Sequence, residues 1–146
     1  NDQFVKEGWL EQYFDFLKKS RADLAGVDAW LLDRNLRPIH NCKNANEAFS
    51  YVGCGGMMIK RETAQLLEIE GCLFDPVFNP AYFEDPDLNF RARKLGVSIG
   101  WNSQARITHL PHQTLGKSKQ RMQYFSESYA KFRAKWGSYN FSPMRQ

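Results

Sequence analysis

The run Tyr82-Phe83-Glu84-Asp85-Pro86-Asp87 gathers three carboxylates at the start of a segment with helical periodicity. A carboxylate placed there can take part in proton transfer. Glu84 can orient the adjacent Asp85 or bind hydroxyl groups, or simply be solvated. Asp is also a preferred helix N-cap, with Pro at N1 and a further acid in the first turn, so a purely structural use of Asp85 competes with a chemical one. A helix dipole at this position would steady the carboxylate and lower its pKa, which weakens it as a base. Asp87 reads as a first-turn acid.

His109 closes a short alternating segment, and His112 follows three residues later. With no Cys or third clear ligand nearby, a zinc site there is a weak reading, and a hydrogen-bonded packing role for His109 competes with ligation. Gly55 and Gly56 lack the G-K-[ST] sequel of a phosphate loop. They would let backbone approach a bound ligand, or form a β-bulge. Trp101, Phe83 and Tyr82 offer rings that could stack on a ligand, though single aromatics more often belong to a core.

These groups need elements to position them. Trp9, Leu10, Tyr13, Phe14 and Leu17 recur at helical spacing and predict a helix over 7–20. Ala22–Leu32 is apolar on both alternations and predicts one central strand, returned by a turn at 33–35 into a strand over 36–40. A glycine-interrupted strand over 49–60, a short helix over 62–69 and an irregular aromatic stretch to Phe83 follow. Asp85 then opens a helix whose apolar stripe is Leu88, Ala92 and Leu95, with Gly96 at C′. Two short strands, 97–101 and 105–109, precede a last helix, 119–136. Strands alternating with helices make the class α/β.

With 146 residues, 42 % hydrophobic and 14 % aromatic, the chain can build a core and is neither disordered nor collagen-like. A net charge of +4 suits anionic partners. The excess lies at the end: from Thr114 onward there are seven basic residues against one acid, Glu127. Three widely spaced cysteines without C-x-x-C fit a reducing, cytoplasmic setting better than a disulfide framework. No apolar run approaches the ~20 residues of a membrane span.

The stretch Gly53–His109 resembles glycosyltransferase family 2, inverting enzymes of GT-A fold. GCGGMMIKRE, GCLFDPVFNPAYFEDPDLNFRARKLG and VSIGWNSQARITH occur in the family's order, and the second follows its G-x-F-D … ED-x-DL-x-x-R-x-x-x-x-G pattern almost position for position. NDQFVKEGWLEQYFDFL looks like the segment after the family's metal-binding D-x-D, and KFRAKWG like its closing helix. Processive synthases of the family carry Q-x-x-R-W after the ED segment. It is absent here, which favours a single-sugar transferase.

The resemblance implies a partial GT-A fold: a mixed, mainly parallel sheet flanked by helices, with an acceptor- and metal-side half over 1–116 and a basic amphipathic helix and tail over 117–146. It implies inverting transfer from a nucleotide-diphosphate sugar to a hydroxyl of a glycan, lipid-linked sugar or protein, as in polysaccharide or glycoconjugate synthesis. Asp85 would be the base and Glu84 its neighbour. Gly55, Gly56 and Trp101 would bind substrate, while Asp2 and His109 would hold Mn²⁺ or Mg²⁺ at the diphosphate. The nucleotide-binding half is expected to precede Asn1, leaving this stretch inactive alone. The basic helix could rest on the inner face of a membrane. The rival readings are a non-catalytic module binding RNA or an anionic surface through that helix, and a degenerate transferase serving as scaffold; its aromatics at core spacing argue against nucleic acid.

Overall fold

The computed structural model describes residues 3–110 and 119–145. The predicted Asp2 ligand and His112 lie outside them. The elements run β1 (Gln3–Val5), α1 (Trp9–Ser20), β2 (Leu24–Gly26), β3 (Ala29–Leu32), β4 (Pro38–Asn41), β5 (Tyr51–Val52), β6 (Met58–Ile59), α2 (Arg61–Leu67), α3 (Glu84–Lys94), β7 (Ile99–Trp101), β8 (Ile107–His109) and α4 (Lys119–Trp136). A single 3-10 turn, Pro76–Phe78, interrupts the irregular stretch before α3.

The class is α/β, but the sheets are small and mostly antiparallel. Three form: β1-β8, β6-β2-β7 and β4-β3-β5. Among the described residues, only β2 and β7 pair in parallel. The expected mainly parallel sheet is therefore corrected.

The predicted single strand over Ala22–Leu32 is corrected too. It breaks at Val27-Asp28 into β2 and β3, which belong to different sheets. Asp28 cannot be buried cheaply inside a continuous strand. At the break its carbonyl accepts the Gly53 N–H at 2.8 Å, and its side chain turns toward His109.

Three apolar clusters fill the interior. Leu24, Phe49, Val52, Leu88 and Trp101 pack between the sheets and α3. Phe83, Phe90, Phe132 and Trp136 join α3 to α4. Tyr13, Ala22 and Ala25 close the space under α1. Trp101 belongs to the first cluster: it is 2 % exposed, its Nε1 donates to Val27 O at 3.1 Å, and its ring meets Phe49 edge-on. The sugar-stacking role expected of Trp101 is thus corrected; the ring is core.

α3 departs from its sequence reading at both ends. Its N-cap is Phe83, not Asp85, so Asp85 lies inside the first turn. Leu95, placed in the apolar stripe, is 54 % exposed. Phe90 is buried instead, along with Asp87 and Asn89. The C-terminus follows expectation. Gly96 has φ 74°, its N–H reaches Arg93 O, and the Val97 N–H reaches Ala92 O, which is a Schellman closure.

Candidate functional site

Two consecutive residues in the left-handed region, Tyr82 (φ 73°) and Phe83 (φ 69°), turn the chain into α3. Neither is glycine, so each carries about 1–2 kcal/mol of backbone strain. Packing offsets it: the Phe83 ring lies 5.2 Å from Phe125, 5.6 Å from Tyr129 and 5.2 Å from Phe132. The result of this kink is the placement of Glu84 and Asp85 against the β5–β6 loop.

Asp85 reaches that loop at Gly53 and Cys54. A Cβ on Gly53 would stand 3.6 Å from Asp85 Oδ2 and 3.8 Å from Asp28 Cβ, so both acids crowd the same glycine. Burial holds the Asp85 carboxyl above the ordinary range, against the Cys54 thiol and backbone N–H and the nearby His109, which favour the carboxylate. The reading from the helix dipole alone is reversed: desolvation outweighs it, and Asp85 is a stronger base than a solvent-exposed Asp.

His109, on β8, points to the same place. Its Nδ1 lies 2.8 Å from Asp28 Oδ2. The Gly55 backbone lies against the imidazole so closely that a Cβ there would fall 2.3 Å from Nδ1. Gly55 is required by the protein's own histidine. Gly56 has φ 72° and would meet Val27 if it carried a Cβ, and its carbonyl lies 2.9 Å from the Tyr13 hydroxyl. Gly55 lies against the cluster and Gly56 packs on Val27, each for an internal reason.

Glu84 faces a different surface. Its Oε2 is buried and has no hydrogen-bond partner. Burial, and then the charge of Asp85, push its pKa up to about 7. It lines a cleft of about 70 Å³ with Asp85, Pro38, Tyr51, Tyr82 and Phe125. Tyr51, buried beneath, has its phenol held above the ordinary range by burial and then by Asp85 and Glu84. The cleft's floor is acidic and its walls are aromatic and proline, and at this volume it admits a hydroxyl group rather than a whole ligand. A wider concavity, about 620 Å³, lies elsewhere, between α1 and the β7–β8 loop around Gln12, Asp15, Asn102 and Arg106. None of the acid–histidine cluster reaches it.

No family model, curated protein or solved structure matches this chain. The site therefore rests on its own geometry.

Asp85, Gly55 and His109 converge around the β5–β6 loop; Glu84 adjoins them on the cleft side, and Trp101 does not join them. Sequence reasoning missed Asp28 and Asn89. Asp28 had a signal, an isolated acid within the apolar run Gly-Val-Asp-Ala-Trp-Leu-Leu. Asn89 had none. It donates through Nδ2 to Val52 O (2.9 Å) and Asp85 O (2.8 Å), while its Oδ1 accepts the Val52 N–H (3.0 Å). That one amide ties α3, and with it Asp85, to β5.

The basic α4 is partly committed inward. Phe132 and Trp136 are buried, Lys131 donates to Val77 O at 2.9 Å, and Lys135 bridges Asp75 and Asp87 at 2.7 Å each. Those residues are spoken for in the fold.

Proposed function

We propose that this chain is the acceptor-side part of an inverting, GT-A-type glycosyltransferase, with Asp85 as the base that deprotonates the acceptor hydroxyl. The observation carrying this reading is the Asp85 carboxyl, held above its ordinary pKa at a strained helix start beside the Asp28–His109 pair. A base for a hydroxyl works best when its pKa is raised toward the working pH and it is fixed within the site. Asp85 meets both conditions. Glu84, facing the aromatic cleft, binds the acceptor: its unpartnered Oε2 would accept a sugar hydroxyl, which places the reacting oxygen near Asp85.

The donor is a nucleotide-diphosphate sugar and the acceptor a hydroxyl on a glycan, a lipid-linked sugar or a protein. A divalent cation, Mn²⁺ or Mg²⁺, supplies neutralisation of the departing diphosphate. His109 would be one ligand, through the ring nitrogen that does not meet Asp28. A carboxylate at Nδ1, here Asp28, is the usual outer partner that fixes a ligating imidazole. Asp2 is the second proposed ligand.

The test is Mn²⁺-dependent release of nucleoside diphosphate from a panel of nucleotide sugars by the protein carrying this chain, compared with Asp85→Asn. The carboxamide keeps the shape and loses the basicity, so kcat should fall about 10²–10⁴-fold with little change in KM for the donor. Equal turnover by both would remove Asp85 from the base role. No turnover of any nucleotide sugar would sink the transferase reading itself.

A further inference from the structure

Outside the Asp85 cluster, β4 and the turn after it bring together three side chains of different donor chemistry. A nitrogen of His40, the Cys42 sulfur and a Glu47 carboxylate oxygen all lie within 4.8 Å of one another, the one such trio of metal-ligating types among the described residues. The proposed transferase site uses none of them.

The three are held by backbone. Glu47 Oε1 accepts the N–H groups of Lys43 (2.9 Å) and Asn44 (2.7 Å) and the Asn44 side-chain amide (3.2 Å). That leaves Oε2 turned to His40 Nε2 at 3.0 Å. Cys42 is fixed from the other side, where its N–H donates to Ala29 O at 2.8 Å, and it is only 4 % exposed. His40 and Glu47 are open to solvent, with side chains 47 % and 30 % exposed. The trio is thus anchored at the sulfur and accessible at the nitrogen and oxygen, with little ordering left for an ion to impose.

We infer that His40, Cys42 and Glu47 bind a zinc-class divalent cation, with water in a fourth, solvent-facing position. The donor set decides the metal. The thiolate beside nitrogen and oxygen suits Zn²⁺, whereas Mg²⁺, Mn²⁺ and Ca²⁺ are hard ions that disfavour a sulfur ligand. Thiolate and carboxylate together balance the dication. On binding, Cys42 releases its thiol proton to solvent, and His40 keeps its proton on the ring nitrogen that does not ligate. The ion clamps β4 to the turn leading into β5, which carries Tyr51 of the cleft. This site stands whether or not the transferase reading does.

Co²⁺ serves as the probe, followed by displacement with Zn²⁺, in the intact chain under reducing conditions. One equivalent of Co²⁺ should give tetrahedral d–d bands and a thiolate-to-cobalt charge-transfer band, and Zn²⁺ should abolish both. Cys42→Ser should lose the charge-transfer band. His40→Ala and Glu47→Gln should weaken Zn²⁺ binding by about a hundredfold or more, since even the outer partners of ligands are worth 10–100-fold. His40 is exposed, so that variant keeps its fold and answers if Cys42→Ser does not. Cys54→Ala, Cys72→Ala and His109→Ala should leave the band unchanged. Failure to take up either ion, a charge-transfer band that survives Cys42→Ser, or unweakened binding in His40→Ala would each overturn the site.

Discussion

At the scale of single residues, Glu84 connects stability to the chemistry. Its pKa is pushed from 4.5 to about 7 by burial and then by Asp85, with Oε2 unpartnered. An acid whose pKa is higher in the folded state binds more protons folded than unfolded between those two values. Its contribution is full below about pH 4.5 and is lost as pH rises through about 7. The wild-type midpoint should therefore fall between pH 5 and pH 8. Glu84→Gln, which cannot ionise, should flatten the fall, gaining about 1–3 kcal/mol over wild type at pH 8. Thermal melts at the two pH values check it, and identical slopes would mean that Glu84 is solvated. The acidic pair was legible in the sequence as a pattern of types. Its environment was not, because the surfaces around the pair, Pro38, Tyr51 and Phe125 at the cleft and Cys54 beside Asp85, are brought there only by folding. The dipole argument, which uses local sequence alone, therefore gave the wrong direction for Asp85.

At the scale of elements, α3 shows where local signals suffice and where they fail. Gly96 ended the helix as read, because a left-handed C′ residue is a local requirement that glycine meets. The start was misread. Asp before Pro favours a cap, but the aromatic packing of Phe83 onto Phe125, Tyr129 and Phe132 imposes the left-handed turn earlier, at two residues whose types do not predict it. The tie between α3 and β5 was invisible for the same reason. Asn89 satisfies both backbone groups of Val52, which is fully buried, so it acts as a substitute strand neighbour. Asn89→Leu fills similar space and leaves that N–H and C=O unpaired. It should cost about 2–4 kcal/mol, seen as a lower urea midpoint, since each buried group without a partner is worth about 1–3 kcal/mol. A loss below about 0.5 kcal/mol would mean that another group or water takes over at Val52.

At the scale of the whole molecule, element types were largely legible and their assembly was not. Alternation and helical spacing depend on neighbours a few residues apart, whereas strand pairing joins Leu24 to Ile99 and Gln3 to His109. The same distance effect governs the tail. Charge separates 117–146 from the rest of the chain, yet Phe132 and Trp136 enter one cluster with Phe83 and Phe90. The link is polar as well: Asp87, fully buried on α3, accepts from Trp136 Nε1 and Arg91 Nε at 2.8 Å each and pairs with Lys135 at 2.7 Å. Removing Trp136 would thus open a cavity and take one donor from a buried carboxylate. Both effects act on the joint between α3 and α4. If that joint makes one cooperative unit, urea unfolding is a single transition, coincident by fluorescence and far-ultraviolet circular dichroism. Trp136→Ala then lowers the whole transition by about 3–5 kcal/mol, because the cavity and the lost hydrogen bond are felt wherever the common core reaches. Were α4 an appended unit, wild type would unfold in two steps and the substitution would move only one of them.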